Sequence, residues 1–197
     1  VTDAAASAAR FEDIVRTTPW LMDVLRAARD VDAPDWLVGA GALRNAVWDR
    51  LHGYAKPTPL ADVDVAFFDP ADVTPARDRS VQDALCARLG GVAWQAKNQA
   101  AVHLWYESRF GYAVEPLSSS ADAVGTFPET ATAVAVRLWP DDRLTVVAPC
   151  GLDDLLGLVH RHNPRRASVE IYQRRLAEKR IAERWPRVTI VPAAPIR

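Results

Sequence analysis

The chain has 197 residues, 49% of them hydrophobic and 25% charged, with a formal net charge of −1, an ordinary balance for a globular protein with one sizeable core. No apolar run approaches the roughly 20 residues needed to span a bilayer, and the Ala-rich start has neither a basic leader nor a continuous hydrophobic stretch. Cys86 and Cys150 are too few and too far apart for a disulfide framework or zinc site, so the expected setting is the reducing cytoplasm, with no membrane partner.

Residues 4–16 and 19–30 read as two helices. Thr18-Pro19 supplies a cap and a first-turn proline, and Trp20, Leu21, Val24, Leu25 and Ala28 form one apolar stripe. Pro34 precedes a strand at 36–38, and Gly39-Ala40-Gly41 turns into a helix at 42–52 that ends near Gly53. A Pro-containing loop leads to a strand at 60–68, stopped by Asp69-Pro70. Thr74-Pro75 starts a helix to Leu89, with Val81, Leu85 and Leu89 at fourfold spacing and Cys86 on its buried side; Gly90-Gly91 ends it. Then come a strand at 92–97, a short helix through Trp105, an irregular stretch at 107–130, and a hairpin of 132–138 with 144–147 around Pro140-Asp141-Asp142. Helices at 151–161 and 167–184 precede a Pro-rich end. Helices interleave with strands without an unbroken βαβ series. The expectation is an α+β fold with a mixed sheet flanked by helices. It would form a single domain over 1–197, the helical N-terminus (1–34) and basic helical C-terminus (151–197) packed on it.

Leu60-Ala61-Asp62-Val63-Asp64-Val65-Ala66-Phe67-Phe68 carries the most chemical information. Its alternation is that of a half-buried strand, with Val63, Val65 and Phe67 toward a core and both aspartates opposite. Their Cα atoms would lie about 6.5 Å apart, close enough for both side chains to hold one or two divalent cations. Two adjacent carboxylates repel unless a cation compensates them, so a purely structural role is costly. The tripeptide alone means little: Asp30-Val31-Asp32 repeats it without alternation, between a helical stretch and Ala33-Pro34, and reads as a helix-ending turn.

Upstream, Gly39 and Gly41 would let backbone approach a ligand, and the following helix start would offer N–H groups to phosphate. Arg44 and Asn45 fall in that first turn, where a guanidinium can pair with a triphosphate. A dinucleotide fingerprint is the rival reading, with an acid about 20 residues after the glycines. Arg44 stands where its third glycine belongs, and the acid comes as a pair where ribose needs one. Lys97 and Asn98 at a strand end are candidates to meet phosphate or base. Residues 161–187 hold nine Arg or Lys against three Glu, either a solvated helix face or a track for a polyanion such as RNA.

These stretches carry a resemblance. Leu37-Val38-Gly39-Ala40-Gly41-Ala42-Leu43-Arg44-Asn45 followed by Asp62-Val63-Asp64 resembles the head motif of the DNA polymerase beta-type nucleotidyltransferases, especially CCA-adding enzymes and bacterial poly(A) polymerases. Over nearly its whole length the chain looks like small bacterial nucleotidyltransferase-like proteins, through Trp48-Asp49-Arg50-Leu51-His52-Gly53-Tyr54, Lys97-Asn98-Gln99-Ala100, Pro128-Glu129-Thr130-Ala131-Thr132 and Ala148-Pro149-Cys150-Gly151-Leu152-Asp153-Asp154-Leu155. The resemblance implies a polymerase-beta-like fold, Mg²⁺ (or Mn²⁺) on Asp62 and Asp64, and an NTP at the glycine turn whose NMP group passes to an acceptor. Two departures stand out. Ala42 lies near a position that is commonly Ser, and the third carboxylate of many members has no counterpart on the strand 92–97. Glu129 is a candidate for it by residue type alone. An inactive nucleotide-binding module with the same fold is the alternative, and the long helical body that holds tRNA in CCA-adding enzymes is missing.

Overall fold

The computed structural model describes residues 4–193; the first three residues and 194–197 of the Pro-rich end lie outside the described residues. Helices α1 (Ala4–Arg16) and α2 (Pro19–Val31) form as their stripes predict, burying Phe11, Ile14 and Val15 from one and Leu21, Val24 and Leu25 from the other. Asp32 closes α2 in the left-handed region (φ 47), so the first Asp-Val-Asp is a helix terminus. No described helix is long and apolar enough to cross a membrane.

Strands β1 (Leu37–Gly39), β2 (Val63–Phe67), β3 (Trp94–Asn98), β4 (Ala135–Leu138) and β5 (Leu144–Val147) build one sheet in the order β3-β2-β1-β4-β5. β1 runs antiparallel to β2 and β4, and β4 to β5; β2 and β3 are parallel, which requires a crossover, supplied by α4 (Pro75–Arg88). α3 (Gly41–His52) leaves the end of β1. Val38, Val63, Val65, Phe67, Ala96 and Val136 point from one sheet face into the main core with α1, α2, α3 and α4. Leu37 and Ala135 point the other way, onto Val124 of the short helix α6 (Ser120–Val124) and Phe127. The mixed sheet flanked by helices is the fold expected from the sequence.

Several boundaries moved. The helix expected at 151–161 is only α7 (Asp153–Leu156): Gly157 caps it, Leu158 turns left-handed (φ 57), and β6 (Val159–His160) pairs in parallel with β7 (Thr189–Ile190). The basic helix 167–184 is α8 (Val169–Lys179), started by the Ser168 side chain accepting from the Ile171 N–H, and α9 (Ile181–Arg184), separated by left-handed Arg180. The helix expected to stop at Trp105 continues as α5 (Val102–Phe110) to left-handed Gly111. Cys86 is exposed, not buried, because α4 buries only Val81 and Leu85, and the residue after Leu85 turns about 100° away on a helix.

The C-terminal segment is tied back to α3 by buried polar contacts. Trp48 Nε1 donates to the Leu155 carbonyl (2.9 Å), and Trp185 Nε1 donates to Asp49 Oδ1 (2.7 Å). Both indoles are fully buried and meet edge to face, centroids 5.3 Å apart, an arrangement that combines large apolar area with a satisfied N–H. This docking carries α8 over the sheet face that bears Asp64.

Candidate active site

Asp64 lies on β2 between inward-facing Val63 and Val65, so the pleat turns it out of the main core with Ala66. Asp62 lies just before the strand, within range to act on it electrostatically. Burial first, then the Asp62 charge, pushes the Asp64 carboxyl up to about 6; Lys179 and Arg175 pull it partly back. A carboxylate so placed is short of positive charge, and a hard divalent cation would supply it through the oxygen donors at hand. Among the described residues no cluster of three or more His, Cys, Asp or Glu could hold a metal, so any donor set built on Asp64 would be drawn from this pair.

The glycine turn is built differently from the expectation. A Cβ on Gly39 would meet the Ala135 Cβ and Val134 carbonyl at 3.0 Å, so this glycine serves close strand packing. Gly41 has open space around it, and the positive φ falls on Ala40 (φ 56, ψ −122), whose N–H donates to the Val134 carbonyl. Ala40, at the N-terminus of α3, lines the same recess as Asp64. Arg44 and Asn45 do not reach it as expected. Arg44 is 5% exposed, donates through Nε to Asn45 Oδ1 (2.9 Å) and lies over the Trp48 and Trp185 rings, at 5.2 and 4.9 Å. Its desolvation lowers its pKa to about 10. The reason is the docked C-terminal segment, whose Trp185 covers the guanidinium.

At the edge of the sheet, Lys97 projects on the same face as Asp64, and its Nζ pairs with Asp78 (3.0 Å). Asn98 is structural. Its Oδ1 accepts from the Asp69 and Ala100 N–H groups and its Nδ2 donates to the Asp69 and Asp72 carbonyls, which leaves nothing for a ligand. Glu129 is not a third metal carboxylate either. It is 1% exposed, accepts from Arg175 Nε at 2.6 Å and from Thr132 Oγ1 at 2.7 Å; burial pushes its carboxyl up, but the Arg175 charge and the hydrogen bonds from Arg175 and Thr132 together hold it below the usual range.

Arg175 is the functional candidate that sequence reasoning placed elsewhere, on a polyanion track. Clamped by Glu129 and lining the same recess as Asp64, it stands where the sequence suggests Arg44. Its only sequence signal was a run of basic residues, with nothing to say which of them turns inward.

The cleft has two compartments. A recess of about 190 Å³ is lined by Ala40, Asp64, Gln95, Lys97, Thr132 and Arg175. It shares Lys97, Gln99, Phe127, Pro128 and Arg175 with a chamber of about 610 Å³ between α5 and α8. Together they have the size of a small-molecule site.

Comparison with known proteins agrees with this architecture. A structure reported as revealing a CCA-adding enzyme head domain is similar with a TM-score of 0.77 and 28% identity, over 92% of this chain and 96% of that one. The Thermotoga maritima CCA-adding enzyme complexed with tRNA (TM-score 0.56, 16% identity) and a CCA-adding enzyme with CTP (0.53, 15%) share the fold over 91% and 93% of this chain. The chain spans only 42% and 43% of those two enzymes. None of the curated proteins matches it. The sequence pattern of a family described as nucleotidyltransferase matches residues 26–190, most of the chain, and with the head-domain fold in place the chain belongs to the nucleotidyltransferase family.

Proposed function

We propose that the protein is an enzyme that moves an NMP group from an NTP to an acceptor hydroxyl, with Asp62 and Asp64 holding Mg²⁺ or Mn²⁺. One observation carries this reading: Asp64, its ionised form disfavoured by burial and by Asp62, shares a recess with the N-terminus of α3 and the clamped Arg175. When bound, the cation would neutralise the triphosphate and the charge growing on the leaving group. The residues themselves do the rest. Arg175 in the recess wall and Lys179, near enough to act on Asp64, would offer positive charge to phosphate oxygens, and the N–H groups of the first turn of α3 would offer donors. As the acceptor oxygen bonds to the α-phosphorus and the bond to pyrophosphate breaks, the hydroxyl proton passes to a carboxylate oxygen of the pair. Lys97 stays a candidate at the shared wall of the two compartments.

Incubation with each labelled NTP, Mg²⁺ or Mn²⁺ and a bacterial lysate tests the reading. Label should move to an acceptor with the intact protein and not with folded Asp64→Asn; unchanged transfer by that variant would refute the assignment. A second reading, a nucleotide-binding module without catalysis, is favoured by the engagement of Glu129 with Arg175, which leaves two carboxylates where many relatives use three. NTP binding with no label transferred to any acceptor would support it.

A further inference from the structure

A transferase must bring two substrates to one phosphorus, the attacking oxygen arriving opposite the leaving group. The cleft is divided accordingly, with the carboxylate recess at one end and the larger chamber opening beyond Arg175. The chamber's walls are not those of a general apolar pocket. Trp105, Tyr106 and Phe110 come from α5, and Phe127 from the loop after α6. Arg109 and Arg174 face the same space from α5 and α8. Neither cation is held by a short ion pair: among the described residues Arg109 makes none and lies 5.7 Å from the Phe110 ring centroid, and Arg174 approaches Glu178 only to 3.9 Å across exposed side chains. Trp105, in the chamber wall, is 37% exposed, which leaves apolar ring surface open to the chamber. An open indole beside guanidiniums that hold no short ion pair is the chemistry that seats a base and its flanking phosphates in a single strand. A hydroxyl on a folded protein or a neutral small molecule would need neither.

Resting on the transferase reading, we infer that the chamber between α5 and α8 is the acceptor site, seating the end of a single-stranded RNA with a base on Trp105 and its phosphates on Arg109 and Arg174. The donor's triphosphate remains in the Asp64 recess, and Arg175, in the shared wall, separates the two.

Binding can be read without turnover. Fluorescence anisotropy of a labelled, mixed-sequence single-stranded RNA of about eight nucleotides is followed with the full chain, in parallel with a fluorescent ATP analogue and Mn²⁺. Arg109→Gln/Arg174→Gln should weaken RNA binding about tenfold or more and flatten its salt dependence, a log–log slope smaller by about 1.4 for two lost phosphate contacts. Trp105→Ala should weaken RNA about tenfold with the salt slope unchanged. Affinity for the ATP analogue should not move. These side chains are at least partly exposed, so folding should survive, and unchanged circular dichroism and melting temperature check that. RNA binding unaffected by the variants, or no RNA binding by the intact protein, overturns the inference. So does loss of the ATP analogue with RNA unaffected, which would make the chamber the donor's base site. Because these readouts need no chemistry, they can fail while Asp64→Asn still abolishes transfer, and the reverse.

Discussion

Replacing Asp64 by Asn should make the protein more stable at neutral pH while removing its activity. Burial and Asp62 raise the Asp64 pKa from 3.8 to about 6, so the folded state favours the protonated form. A raised acid contributes stability that is fully present below pH 3.8 and is lost as pH rises through about 6. At about 1.4 kcal/mol per pH unit over that interval, ionised Asp64 costs the fold at most about 3 kcal/mol at neutral pH. Asn is nearly isosteric and never ionises. Urea denaturation at about pH 8 should therefore show Asp64→Asn more stable by up to about 3 kcal/mol, equivalent to at most about 6–12 °C in a melt for a chain of this size. The gap should close at about pH 4, where wild-type Asp64 is protonated as well. Mn²⁺ at about 100 times its dissociation constant should stabilise wild type alone by about 2.7 kcal/mol and erase most of the difference. A gap that is absent, that persists in acid, or that ignores Mn²⁺ would refute the picture of a strained carboxylate pair awaiting a cation.

Glu129→Ala leaves the Arg175 guanidinium without its partner and should cost about 3–5 kcal/mol in a denaturant titration, whereas Glu129→Leu with Arg175→Met should recover most of that loss while lowering any transfer activity. Ala40→Gly removes a positive-φ alanine at the recess and should raise stability by about 1 kcal/mol; a destabilised variant would show that Ala40 is not strained. His160 is 1% exposed, hydrogen-bonded to Tyr172, and depressed to about 4 by burial. Its neutral form is the one that folds, so its contribution is present above pH 6.5 and is lost as pH falls toward about 4. Measured in Asp64→Asn, where the opposing carboxylate no longer masks it, stability should decline through that window, and His160→Asn should flatten the decline.

Local pattern was enough for the β2 alternation, the proline-started helices α2 and α4, the hairpin of β4 and β5, and the outward direction of Asp64. Each of these depends on neighbours within a few residues: a period of two, a cap, a turn. The family resemblance rested on the same short stretches. What local pattern missed were the partners that come from far along the chain. Arg44 sits in the first turn of a helix, the usual place for an anion-binding guanidinium, yet Trp185, 141 positions later, covers it. Glu129 had the chemistry of a metal ligand until α8 brought Arg175 within 2.6 Å. Gly39 and Asn98 have the residue types of ligand contacts, but a neighbouring strand and a neighbouring loop use them up. The sequence by itself determined most of the elements and the outward placement of Asp64 on β2, because backbone geometry is set locally; the strand begins only at Val63, so Asp62 precedes it. Which cation faces those carboxylates, and that a second chamber adjoins them, depended on how the C-terminal segment packs over the sheet. That packing is decided by burial of Trp48 and Trp185 and by paired charges between segments remote in sequence, which no local spacing encodes.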